Sequence, residues 1–471
     1  MTPKLASLIC VAYIAWLFYK DSKRNKEVSS ALWIPLAWAV IFSSRPMSTW
    51  LGMGGSFETT EDYVEGSPID RLFSMFLIGA GAVVLSRRKL NWNSFYRDNK
   101  WLIIFYIYLL ISCVWSDFPF VSLKRWVKDF GNVIMVLVVV TEKDPIQATK
   151  ALLARCSYVL IPWSVLLVKY YPDLGVYYNR WTYQRYVGGV TVDKNLLGTI
   201  LFVCGLSQFW IFIELRKARA FARDKAGMIA WLLLMAMTLW LLIKAQSSTA
   251  LGCTFLGCLA LIALRLPAIR SRAARLGTYG VGLVLALFFL HLTLNIGDLF
   301  VGLLGRDLTF TGRTEIWQAV LTEPINPLTG TGFYSFWLGD RVDRLSEKYF
   351  YHLNEAHNGY IECYLNTGLI SLFLLGAVMV TSAKKIMKGL KTGSVYEAFR
   401  LAFLVIVAVY NITEATFNKP GPMWFLMLLV LMTHPRRRQA KLKEQPGVSS
   451  ESAGAKRSAS EPIGAPGNSL A

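Results

Sequence analysis

The chain has 471 residues, 54% of them hydrophobic and 17% charged, with a formal net charge of +20. That composition departs from globular averages toward the membrane class, and apolar runs of roughly 17 to 22 residues recur along it, long enough to cross a hydrocarbon core of about 30 Å. The runs are continuous and do not alternate, which excludes a β-barrel, while Lys and Arg sit in short loops between them, the pattern of orientation signals and not of nucleic-acid binding.

The expectation is an all-α, polytopic integral membrane protein with about 12–13 transmembrane helices. A first span at about 4–19 ends at Lys20, Lys23, Arg24 and Lys26, which places that end in the cytoplasm. No small-residue cleavage site follows it, so it reads as a retained span and not as a signal peptide. A short span at 31–44 leads to an outer loop carrying Glu58, Glu61, Asp62 and Glu65. The span at 69–85 returns to a basic inner loop, and the span at 101–116 leads out to an amphipathic segment with Lys124, Arg125 and Lys128. Those cations fit either interfacial anchoring or an anionic ligand. Spans at 130–141 and 151–168 flank an inner loop, and an outer loop follows, dense in Tyr and Trp, with Arg180, Arg185 and Lys194. Its rings and cations fit both a membrane belt and a carbohydrate bearing a phosphate.

Spans at 195–213, 227–245 and 249–266 come next, with basic inner loops after the first and third. The span at 278–297 contains His291, an intramembrane ionisable group that is either a functional candidate or a neutral, hydrogen-bonded one. It delivers the chain to one large periplasmic loop, 298–357, before the span at about 358–380. Spans at 401–417, with Asn411 and Glu414, and at 422–433 close the bundle. The expected division is an N-terminal bundle 1–190, a second membrane domain 191–434 and a disordered cytoplasmic tail 435–471. All seven cysteines fall in or beside apolar runs without CxxC spacing, so they read as packing residues and predict neither disulfides nor structural zinc.

Candidate chemistry concentrates between Thr309 and Ser371. Thr311 or Thr314 caps a helix that Pro324 stops, and Arg313 in its first turn adds a charge with bidentate geometry for phosphate to the free N–H groups there. Trp317, four residues on, lies on the same face and suits a sugar or lipid. The turn INPLTGTGF holds a lone GxG, which says only that the backbone bends sharply or is closely approached. His357 stands where a polar loop becomes an apolar helix, heading a stripe of Tyr360, Ile361 and Tyr364. A partly dehydrated histidine with a near-neutral pKa there suits proton transfer with a hydroxyl; a belt histidine with a structural hydrogen bond fits the same pattern. There is no D-x-D pair, H-E-x-x-H or Walker sequence, so no metal or other cofactor is expected. A basic, aromatic, outward-facing site beside the bilayer suits a substrate that is part lipid, part pyrophosphate and part sugar.

DKNLLG (193–198), QSSTALG (246–252), TGRTEIW (311–317), the P-x-x-G-x-G turn (327–332) and HNGYIECYLNTGLIS (357–371) together resemble the O-antigen ligase and polymerase superfamily, in particular its exopolysaccharide (succinoglycan-type) polymerase branch. The resemblance implies a metal-independent, inverting transfer of a glycan from an undecaprenyl-pyrophosphate carrier to an acceptor hydroxyl, at the periplasmic face of a bacterial inner membrane. It implies that Arg313 holds the pyrophosphate and that His357 lies near the reacting hydroxyl. Many relatives carry an Arg where this chain has Ser248, which leaves Lys244, Lys194 and Arg185 as substitutes. Together with Trp317, Tyr360 and Tyr364 these are the expected substrate-binding residues. A flippase and a chain-length regulator are the partners that a polymerase implies. A ligase acting on lipid A core or protein keeps the chemistry and changes the acceptor. A lipid or sugar transporter is the alternative of another class, hinted at by Lys244, His291 and Glu414.

Overall fold

The computed structural model describes residues 1–53, 67–178, 183–273, 313–349 and 353–433. The acidic loop with Glu58, Arg180, the span expected at 278–297 with His291, the front of the large loop with Thr311, and the tail from 434 lie outside the described residues. The helices of nine or more residues are, first, α1 (Pro3–Arg24), α2 (Trp33–Phe42), α3 (Pro68–Ser86), α4 (Lys100–Ile111), α5 (Pro119–Val140), α6 (Pro145–Tyr170), α7 (Lys194–Lys217), α8 (Lys225–Ala245) and α9 (Ser248–Ala263). After the undescribed stretch come α10 (Arg313–Leu321), α11 (Asp340–Tyr349), α12 (Gly359–Leu390), α13 (Val395–Thr413) and α14 (Pro422–Leu431).

Among these, α1, α3, α6, α7, α8, α12 and α13 are long and apolar enough to cross a membrane, and α9 joins them if taken with Pro267–Ala273 across a 99° bend. The chain is therefore an all-α polytopic membrane protein. Burial separates the layers: the apolar window of α6 is 83% buried and that of α7 78%, against 17% for α1 and 22% for α3. Hence α6 and α7 form the interior, while α1 and α3 turn most of their apolar surface outward, as lipid-facing helices do. Short α14 is buried along its whole length, from Pro422 to Leu431. It packs against α5, α7 and α13, and one buried apolar cluster runs from Leu17 to Met432.

Three features depart from the sequence reading. The amphipathic segment before Phe130 and the span expected at 130–141 are one 22-residue helix, α5. Two of its polar side chains have partners inside the protein: Arg125 donates to the Tyr334 carbonyl at 2.7 Å, and Asn132 accepts from the Trp38 indole at 2.8 Å. Lys124 and Lys128 stay exposed, Lys128 with its ammonium 5.0 Å from the Phe42 ring, so the helix runs on with these two charges on its outer face. The aromatic loop after α6 holds an antiparallel hairpin, β1 (Val176–Tyr178) and β2 (Arg185–Val187), with Tyr177 opposite Tyr186.

The third departure is in α12, which is not the uninterrupted span expected at 358–380. It breaks at Gly368, whose φ of 69° and ψ of −172° lie outside any helix. A break exposes carbonyls and amides that apolar surroundings would penalise. The P-x-x-G-x-G turn fills it. Thr331 N and Gly332 N donate to the Leu365 and Asn366 carbonyls at 3.1 and 2.8 Å, and Leu369 N donates to the Pro327 carbonyl at 2.9 Å. The Tyr108 hydroxyl on α4 takes the Thr367 carbonyl at 2.7 Å. Glycine is required on both sides of this docking: a Cβ at Gly368 would fall 2.1 Å from the Leu328 oxygen, and one at Gly332 would fall 2.3 Å from Ser116 Cα. The lone GxG is a close backbone approach, to the protein's own helix.

Candidate active site

The site is assembled where α13 ends and α12 begins. Glu414 caps α13 in an extended conformation, and its carbonyl accepts from Gly359 N at 3.0 Å. Asn358 caps α12 by accepting from Tyr360 N and Ile361 N at 3.0 and 3.1 Å, and its side-chain amide donates to the Ile412 carbonyl at 3.0 Å. One asparagine therefore starts one helix and ties it to the end of the other, which sets His357 beside Glu414. The beginnings of α7 and α9 lie at the same end of the bundle. Thr249 and Thr413 share a 3.2 Å hydroxyl contact, and Gly198 on α7 faces Ser247, the cap of α9.

The segment carrying His357 is held from two sides. Ala356 N donates to Oε1 of Glu362 at 2.6 Å, and the Ala356 carbonyl accepts from the Trp317 indole at 2.7 Å. Glu362 is buried and also accepts from the Trp337 indole at 2.9 and 3.0 Å and from the Asn366 amide at 3.2 Å. His357 itself has a φ of 51°, in the left-handed region that is uncommon for a residue other than glycine.

A continuous row of alternating charges results. Arg313, at the start of α10, bonds the Thr413 carbonyl and lies 3.0 Å from Oε1 of Glu414. Oε2 of Glu414 is 3.9 Å from Nδ1 of His357, and that nitrogen is 2.7 Å from Oε1 of Glu355. The other oxygen of Glu355 pairs with Lys419. Burial alone would lower the His357 pKa. The contact with Glu355, the adjacent Glu414 carboxylate and the Glu355 charge outweigh burial and the opposing charge of Arg313, raising it to about 9. This corrects the near-neutral histidine expected from sequence, and the cause is two acids that the reading had not placed there. Burial would raise the Glu355 pKa, but Lys419 and His357 hold it well below the usual carboxylate range. Asp193, which caps α7 by accepting from Asn195 N and Leu196 N at 2.8 Å each, belongs to the same neighbourhood. Burial raises its pKa, its two capping N–H groups oppose that, and repulsion from Glu355 and Glu414 adds to it.

The structure thus brings Arg313 and His357 together, linked through Glu414. Lys194 follows Asp193, with its ammonium 4.2 Å from the Tyr186 ring and its backbone N–H donated to the Tyr177 hydroxyl at 2.7 Å. Arg185 is exposed on β2, and Lys244 is exposed in the last turn of α8. Tyr360 spends its hydroxyl on the Ala408 carbonyl at 2.8 Å, and Tyr364 packs against the apolar cluster of Ile316, Phe336 and Leu365. Glu355, Lys419 and Glu362 were not singled out by sequence, and Glu414 only as a mid-membrane hint. The signal available was their nearness to the motifs, Glu355 and Glu362 flanking His357 and Lys419 following Glu414 by five residues.

Glu355, His357 and Glu414 place donor atoms within 4.8 Å of one another and are residue types that hold divalent cations. Each carboxylate already faces a fixed protein cation, Lys419 for Glu355 and Arg313 for Glu414, which an incoming metal ion would have to displace.

The fold and this site define a multi-pass membrane protein whose charged cluster is built at the helix ends on one side of the bundle. Residues 230–376, which contain both Arg313 and His357, match the O-antigen ligase family. Over 384 residues the chain is 26% identical to exopolysaccharide production protein ExoQ of Rhizobium meliloti (strain 1021), a similarity covering 76% of this chain and 82% of that relative. Both similarities support the O-antigen ligase/polymerase superfamily and, more coarsely, a membrane enzyme that processes polysaccharides.

Proposed function

We propose that this enzyme transfers a glycan from an undecaprenyl-pyrophosphate carrier to an acceptor sugar hydroxyl, joining repeat units into an exopolysaccharide or O-antigen, at the periplasmic face of a bacterial inner membrane. The observation that carries the reading is the row Arg313, Glu414, His357, Glu355, Lys419, with three cations in reach of one another at the end of the bundle that the loop charges assign to the outside.

In the transfer, the acceptor oxygen attacks the anomeric carbon as the bond to the pyrophosphate breaks, and negative charge grows on the departing phosphate. Arg313 holds the pyrophosphate by its planar fork, and the His357 imidazolium and Lys419 ammonium meet the growing charge. No step of this scheme calls for a metal ion, and displacement at one face inverts the anomeric centre. Arg185 and Lys194, with the tyrosines of the hairpin, suit the glycan; Lys244, Trp317, Tyr360 and Tyr364 complete the residues assigned to substrate, with Trp317 and Tyr360 acting through the segment each braces.

Polymerisation is favoured over ligation by the similarity to a protein of exopolysaccharide production. Purified enzyme given only a lipid-linked oligosaccharide should yield a ladder of products growing by whole repeats. A single product that appears only when lipid A core or protein is supplied would favour the ligase. A transporter reading draws no support from the broken helix, because its freed backbone groups are taken by residues 327–332 and not left for a substrate.

A further inference from the structure

Arg313 is assigned above to the donor's pyrophosphate, and the inference that follows rests on that reading. The guanidinium already has an anion: Oε1 of Glu414 at 3.0 Å, with the Thr413 carbonyl on its other arm. Both groups are shielded, the Arg313 side chain 17% exposed and that of Glu414 8%. A pyrophosphate that takes the edge of Arg313 now facing Glu414 therefore has to move the Glu414 side chain. The Glu414 backbone is fixed independently, its N–H on the Tyr410 carbonyl and its own carbonyl on Gly359 N, both at 3.0 Å, so the carboxylate can swing without disturbing the helix ends.

A second line concerns the proton. The acceptor hydroxyl must lose one, and His357, held protonated by its neighbours, is not placed to receive it. Both oxygens of Glu355 are tied to cations, one to His357 at 2.7 Å and one to Lys419. Asp193 accepts two backbone N–H groups as a helix cap. Glu414 differs: its Oε2 stands 3.9 Å from His357, beyond hydrogen-bond reach, and its Oε1 is paired with Arg313, the residue assigned to the donor.

We propose that Glu414 is the internal counter-ion that stands in for the donor's pyrophosphate on Arg313 and, once displaced, is the catalytic residue that accepts the proton of the attacking hydroxyl. The balance is complete. The acceptor O–H gives its proton to the carboxylate, its oxygen forms the new bond to the anomeric carbon, and the electron pair of the broken carbon–oxygen bond leaves on the pyrophosphate. Departure of the undecaprenyl pyrophosphate frees Arg313, which pairs again with Glu414 once that carboxyl has passed its proton to water.

The test uses full-length enzyme in nanodiscs, with undecaprenyl pyrophosphate as the binding probe and lipid-linked oligosaccharide for turnover. Glu414→Gln keeps the shape and removes the charge. It should bind the probe about tenfold more tightly, because no ion pair has to be opened first, while turnover falls about 100-fold or more. Glu414→Asp, a methylene shorter, should also bind more tightly yet keep more turnover than the glutamine variant, and it serves if that variant does not fold. Binding that weakens or does not change in both variants overturns the displacement. Tighter binding with undiminished turnover overturns the role as proton acceptor. Arg313→Ala is the control for the underlying reading: if it binds the probe as the wild type does, the assignment of Arg313 to pyrophosphate fails and not merely that of Glu414.

Discussion

Burial works against a charged imidazole, yet His357 keeps its proton because Glu355 touches it at 2.7 Å and Glu414 stands 3.9 Å away. Its pKa is raised from 6.5 to about 9, and the sign has two consequences. The folded state favours the charged form, so the stabilising contribution of this residue is whole below pH 6.5, its ordinary value, and disappears as pH rises through about 9. If the imidazolium also meets charge on the leaving pyrophosphate, turnover should fall as pH rises through about 9, and rate profiles for wild type and His357→Gln should differ in that alkaline limb. An unchanged limb in the variant would assign the titration to another group. The sequence showed His357 and Arg313 as candidates, each at the start of an apolar or capped helix. It did not show what charges them, because Glu355, Glu414 and Lys419 gain their meaning only when the ends of α12 and α13 are spliced by Asn358.

Helix α12 and the turn at 327–332 are one device at the scale of elements. Gly368 opens the helix, the turn closes it by backbone pairing, and Trp337, just beyond the turn, reaches Glu362, which in turn holds Ala356 beside His357. Two predictions belong here. Gly368→Ala would press a Cβ to within 2.1 Å of the Leu328 oxygen at a positive φ, so the turn should come off its seat, turnover should be lost, and the 326–337 segment should become open to limited proteolysis. Glu362→Gln replaces an acceptor-only group with one that must turn a donor toward Trp337 or Asn366. It should lower turnover by about 100-fold through misplacement of His357, with carrier binding little changed. Loss of carrier binding in the same proportion would point to general damage instead. The motif was visible in sequence as a sharp turn or close approach. Its partner was not, since nothing in the spacing of NTG at 366–368 says which loop will fill the break.

For the whole molecule, continuous apolar runs and alternating loop charge were enough to read a multi-pass all-α membrane protein. The structure agrees through α1, α3, α6, α7, α8, α12 and α13. Hydropathy failed where polar side chains such as Arg125 and Asn132 of α5 find partners inside the protein, and it carried no trace of the small hairpin β1–β2, which depends on pairing across the loop. The arrangement leaves one central claim, that Arg313 and His357 act on a single lipid-linked donor. It is tested most directly by the initial rate of undecaprenyl-pyrophosphate release from purified enzyme supplied with lipid-linked oligosaccharide, for wild type, Arg313→Ala and His357→Ala. Each substitution should lower the rate by at least about 100-fold, the loss expected when one charge that stabilises the transition state is removed, while both proteins remain monodisperse in detergent. Release at the wild-type rate by either variant would contradict the account.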